Sequence, residues 1–259
     1  MIVLMFIMLF MYGCMTSDRS DLPEFLRDRE PLINLTGQNE TFRVSLQRDI
    51  AFRDSLLIDH VKDVAVGESG SVLIAGEAWE RREIYKFDRE GGRDHTFGAY
   101  GISEGQFLQI DGIQLAGNRL HVYDGELERI TVLNTETGQL LESLNVHAEN
   151  YRGTETASHT AVTPKHRFSD GSYLISFRDM RNPAFFPDRV LVYARVSRSG
   201  EMVADSLLIQ PDIKYMVGDY AGRPAPFRLD RPERPLLEAD ARNRLISANT
   251  AVFIIELHE

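Results

Sequence analysis

Cysteine is almost missing: the 259-residue chain has one, Cys14. A single thiol excludes an internal disulfide framework and any metal site built from several cysteines. Stability must come from apolar burial and backbone pairing. Lysine is nearly as scarce. Of the 29 basic residues, four are lysines (Lys62, Lys86, Lys165 and Lys214) and the rest are arginines. Acidic residues number 39, and the formal net charge is −10. A phosphate backbone needs a basic surface, so nucleic acid is not an expected partner. Helical periodicity is also lacking. The stretches 30–34 and 236–244 suffice for a turn or two at most, which excludes a solenoid of helices. The chain has no G-x-S-x-G elbow, no P-loop and no H-E-x-x-H. Its 7 histidines show no ligand spacing beside a carboxylate run. No cofactor or metal site is therefore expected from the sequence.

The one long apolar run is at the start. Residues 1–12, MIVLMFIMLFMY, carry no charge. As a helix they would be about 18 Å long, too short for the roughly 30 Å of a bilayer core. That length suits the apolar region of an export signal. Gly13-Cys14 follows directly. A small residue and a Cys after an apolar run resemble a bacterial lipobox. The resemblance implies export, lipidation of Cys14 and anchoring at the outer membrane; the alternative is a cleaved export signal with an incidental Cys, which leaves the domain in the periplasm, or a short anchor. Residues 1–14 are thus read as a leader and 15–40, polar with Pro23 and Pro31, as a tether.

From residue 41 onward the chain consists of short apolar runs separated by turns. One unit has runs at 64–66, 72–75 and 84–87, and a second has them at 113–115, 120–123 and 130–133. Matching Asx and Gly punctuation recurs at Asp88-Gly91 and Asn134-Gly138. Asx side chains cap local backbone, and Gly takes positive φ at little cost. A looser third unit runs through 161–163, 173–177 and 190–196, and a fourth through 236–237, 245–246 and 251–257. Segments 140–144 and 202–209 supply a fourth strand to their units. Four short strands recurring every 40 to 50 residues predict the blades of an all-β propeller.

The junction between units carries a family resemblance. Residues 84–88, IYKFD, precede Gly98, Gly101, Gly105 and Phe107 and then the run 110–115. This pattern resembles an NHL-type repeat, and more closely the six-bladed β-propeller lipoproteins of Bacteroidetes-type bacteria. The resemblance covers residues 41–259 and implies fold, not activity. Six blades of this size need more residues than the chain has. About four are visible, the last cut before its outer strand, so an incomplete propeller is expected.

The insertion 178–189 is the best candidate for a binding loop. It combines Arg178, Arg181 and Arg189 with Phe185 and Phe186, residue types enriched at interface hot spots. The alternative for its aromatics is to tuck into the neighbouring blade. A second segment, 215–235, reads as a loop on the same face. Trp79 reads as a packed rim residue, and Asp111 and His60 fall just before inner strands, where propeller channels begin. Together these features suggest a non-catalytic envelope module that holds a protein, peptide or glycan. The alternative is a metal-dependent propeller hydrolase or lyase of the lactonase kind.

Overall fold

The computed structural model describes residues 59–152, 159–186, 189–212, 215–228, 235–239, 244–249 and 254–258. The leader, the tether, Cys14 and the runs at 42–46 and 56–58 lie outside these residues. The described chain is almost entirely strand. Among the described residues, no helix is long and apolar enough to cross a membrane.

Three sheets repeat one plan. The first pairs β1 (His60–Val66), β2 (Val72–Ala78), β3 (Arg81–Phe87) and β4 (Arg93–Phe97) in chain order. The second contains β5 (Gly112–Ala116), β6 (Arg119–Asp124), β7 (Arg129–Asn134) and β8 (Leu140–Asn145). The third contains β9 (Thr160–Arg167), β10 (Tyr173–Asp179), β11 (Val190–Val196) and β12 (Met202–Pro211). All pairings are antiparallel. A hairpin of β13 (Tyr215–Tyr220) and β14 (Arg223–Arg228) follows. A three-stranded sheet of β15 (Pro235–Ala239), β16 (Leu245–Asn249) and β17 (Ile254–His258) comes last. A single turn, α1 (Glu149–Arg152), lies between β8 and β9.

The inner strands β1, β5 and β9 lie side by side, and each sheet packs face to face on the next. This is β-propeller architecture, incomplete in this chain. Burial explains the sequence texture. Second strands such as β2, VLIAGEA, are covered on both faces and read as apolar runs. The outer strand β8, LLESLN, alternates half-buried and exposed positions because only one face meets a neighbour.

The core is therefore shared between blades. Leu73, Ala75, Ile84 and Phe97 of the first sheet meet Ile113, Leu120, Val122 and Leu133 of the second, with Phe107 and Ile110 of the connection between them. Tyr123 and Ile130 of the second sheet meet Val162, Tyr173, Ile175 and Phe177 of the third. Leu237 and Leu245 of the last sheet pack against Phe168, Leu174 and Tyr193. Turns at one end of the sheets are built as the sequence indicates. Gly92 N–H donates to Asp88 Oδ1 at 2.7 Å, and Glu136 N–H to Asn134 Oδ1 at 2.8 Å.

The connection 98–111 is held by two buried residues of the next blade. Asp124 Oδ2 accepts from Leu108 N–H at 2.9 Å, and its Oδ1 accepts from Leu127 N–H at 2.9 Å. Arg129 donates to the carbonyls of Ile102, Ser103 and Gln106. The Phe107 ring then packs against Gly98. A Cβ at Gly98 would stand 2.6 Å from the Phe107 ring and 3.0 Å from Arg82 O.

Two expectations are corrected. The segment read as a loop at 215–235 contains the β13–β14 hairpin. Its turn, Ala221-Gly222, has φ of 54° and 77°, the paired positive values of a two-residue hairpin turn. Pro224 and Pro226 argued against a strand. Spaced by two, their missing donors fall on one side, which an edge position tolerates. Trp79 is not packed. It caps the β2–β3 turn at 87% exposure.

Two predictions follow from this packing. Gly98→Ala must shift Phe107 and strain a residue at φ +82°. It is expected to cost about 1–3 kcal/mol in urea unfolding, whereas Gly117→Ala, with open space around it, costs only the backbone strain. Second, His121 is buried between the second and third sheets, with Nδ1 3.1 Å from Tyr173 Oη and no partner on Nε2. Burial, reinforced by Arg167 and Arg119, pushes its pKa down to about 4. The unfolded chain therefore binds the proton more readily from pH 6.5 down to 4, and stability falls as pH falls through that window. At about 1.4 kcal/mol per unit, the loss is roughly 3 kcal/mol. Melting curves across that range should show a shallower slope for His121→Gln, and an identical slope would remove His121 as the cause.

Candidate functional site

Antiparallel blades send alternate turns to opposite ends. The β2–β3 turn, the connections 98–111 and 146–159, the β6–β7 turn and the β10–β11 loop all share one end. Among the described residues of the first three sheets, every exposed large apolar side chain in a turn or connection is at that end. These are Trp79, Tyr100, Ile102, Met180, Phe185 and Phe186. The opposite end has the Asx and Gly turns.

The insertion is at the apolar end and divides into two parts. Arg178 and Arg189 are anchors, because both reach the fully buried carboxylate of Asp212. Arg189 Nη2 is 2.6 Å from Oδ2, and Arg178 Nε is 3.3 Å from Oδ1, the latter an ion pair without hydrogen-bond alignment. Arg189 also donates to Arg181 O at 3.3 Å. The tip is different. Phe185 is 64% exposed and Phe186 is also exposed, so neither tucks into a neighbouring blade. The Arg181 guanidinium lies 4.0 Å over the Phe186 ring and is bound to Asp179. Asn182 shapes the tip: its O accepts from Phe185 N–H at 3.0 Å and its Oδ1 from Ala184 N–H at 2.9 Å. Beside the tip is a cleft of about 440 Å³ lined by Glu126, Glu128, His147, His159 and Met180. Glu128 is committed there, accepting from Val162 N–H at 3.0 Å and lying 3.2 Å from His147 Nδ1.

A second cleft, about 400 Å³, lies between the inner strands. Asp111 forms part of its wall, as its position before β5 suggested. His60, exposed at the start of β1, does not line it. The wall also includes Lys62, Asp63, Gln114, Tyr123, Lys165 and His166, with Leu174 and Leu237 among its apolar residues. Sequence reasoning did not assign Lys62 or Lys165 to a site. The available signal was the scarcity of lysine. Among the described residues, no group of three or more His, Cys, Asp or Glu is placed to hold a metal ion.

No protein-family model and no curated protein matches the chain. Among solved structures it is similar to a Bacteroides fragilis protein described as exported, with TM-score 0.49 and 10% identity over 81% of this chain and 52% of that one. It is also similar to the endo-arabinase of Bacteroides thetaiotaomicron, with TM-score 0.41 and 10% identity over 78% of this chain and 74% of that one. A Lactobacillus plantarum protein gives TM-score 0.36 and 8% identity over 77% and 70%. The chain spans about half the length of the first. At these identities the likeness concerns fold alone.

The anchor of the insertion can be tested directly. Asp212→Ala leaves Arg178 and Arg189 without their shared anion. We expect a loss on the order of 3 kcal/mol and faster proteolysis at 181–186. Unchanged cleavage would show that the ion pairs do not hold the loop.

Proposed function

We propose that this chain is a non-catalytic binding module of the cell envelope. In this reading residues 1–14 direct export, Cys14 and residues 15–40 tether the domain, and 41–259 form the propeller. The ligand, a protein, peptide or glycan, docks on the end that carries Trp79, Tyr100, Ile102 and the tip of the insertion. One observation carries the reading: among the described residues of the first three sheets, the exposed large apolar side chains of turns and connections gather at a single end, on connections fixed by buried polar groups. Single exposed apolar residues need no explanation, but their restriction to one end does. Arg181 on Phe186 adds a flat cationic surface suited to aromatic, carboxylate or sugar groups. The rigid Asp212 and Asn182 contacts lower the ordering cost of binding.

The chain's one tryptophan, Trp79, reports on this surface. Capture from an envelope extract should be lost when Arg181, Phe185 and Phe186 are all replaced by Ala, with the circular dichroism spectrum unchanged. The captured ligand should alter Trp79 emission in the parent chain. Equal capture by the triple variant would remove these side chains from the account.

A further inference from the structure

The cleft between the inner strands has a feature independent of the apolar end. β1 and β9 each contain one irregularity in register. In β1, Val61 pairs with Gly76 and Asp63 with Ala75, so Lys62 is the extra residue. In β9, Pro164 pairs with Ile175 and His166 with Leu174, so Lys165 is the extra residue. Such bulges re-aim a side chain and are frequent beside binding sites. Two of the chain's four lysines thus occupy bulges of different inner strands and line the same cavity.

The other charges of the cleft are already committed. Asp63 accepts from Val64 N–H and Ile113 N–H, both at 2.8 Å. Asp111 accepts from Gly125 N–H at 2.7 Å and Gln109 Nε2 at 2.6 Å. Tyr123 Oη donates to Gln114 Oε1 at 2.7 Å. Lys62 is balanced by Glu77 at 3.2 Å. Lys165 is exposed, with protein packed around the base of its ammonium arm. That crowding lowers its ammonium pKa, with Asp111 opposing the shift and Arg178 adding to it.

We propose that this cleft binds a small hydroxylated monocarboxylate of the uronic-acid class, with Lys165 as counter-ion to the ligand's carboxylate. With Lys62 paired to Glu77, Lys165 is the cation of the cleft left to meet one negative charge, with Asp111 acting on it. Asp63 and Asp111 repel any anion there, and a dianion such as phosphate more strongly than a monoanion. The carboxylate oxygens of those two residues have further lone pairs for ligand hydroxyls, and Leu174 and Leu237 offer apolar surface to ring carbons. The volume of about 400 Å³ lies within the range of small-molecule sites.

The test is calorimetric titration of the full chain with sodium glucuronate, with glucose and inorganic phosphate as controls. Saturable binding of glucuronate is expected, weakened by added salt. Glucose should bind far more weakly, lacking the charge, and phosphate no better than glucose. Lys165→Met should weaken glucuronate binding roughly tenfold or more, the loss of one charge-assisted contact. Lys165→Arg should retain part of it. Without ligand, Lys165→Met should melt no lower than the parent, because it removes a crowded cation. No glucuronate binding by the parent, or equal binding by Lys165→Met, overturns the site. Tighter binding of phosphate overturns the ligand class.

Discussion

Where two blades meet at the hub, the edges of their inner strands face each other without pairing. Each edge has backbone N–H and C=O groups, and leaving one unpaired in a buried place costs about 1–3 kcal/mol. This chain meets the demand with side chains. Asp63 of β1 accepts from Ile113 N–H of β5. Gln114 of β5 both donates to Arg167 O at 2.9 Å and accepts from Arg167 N–H of β9 at 2.6 Å. Glu128, from the β6–β7 turn, accepts from Val162 N–H of β9. These contacts set the angle and height at which one sheet sits on the next. The apolar clusters supply the driving force but little direction, since burial is non-directional.

The same arrangement produces two unlike ends. At one end, turns of Asx and Gly close each blade with local hydrogen bonds, and neighbours add single contacts such as Lys86 Nζ to Thr135 O and Tyr151 Oη to Gly200 O. At the other, chain passes between blades, and long connections must be held by buried groups such as Asp124 and Arg129. Burial raises the carboxyl pKa of Asp124, opposed by the backbone donors that it satisfies. That expense fixes the connection and leaves its outward residues unoccupied. Tyr100 and Ile102 are exposed on a segment whose backbone cannot relax inward. The insertion repeats the arrangement, with a buried Asp212 beneath an exposed aromatic tip.

The polar groups of the hub also explain why a cleft persists there. Committed carboxylates and amides line it, so it cannot close by apolar collapse without orphaning them. Bulges at Lys62 and Lys165 interrupt the ladder where those residues line the cleft.

Fold class was legible from the residues because strand period, turn chemistry and repeat length are local properties. The runs at 72–75, 120–123 and 173–177 mark second strands whatever the rest of the chain does. The insertion 178–189 was equally visible, as an interruption of the repeat rich in arginine and aromatics. Its division was not. Arg178 and Arg189 became anchors only because Asp212, far along the chain, is buried beneath them, whereas Arg181 stayed at the surface. The β13–β14 hairpin was hidden by its prolines, whose tolerance depends on which edge is free. The lysines of the hub show the limit most plainly. Composition alone makes lysine rare, but only three-dimensional packing brings residues 62 and 165 into one cavity, because a bulge is a property of a strand pair and no single strand's sequence contains its partner's register.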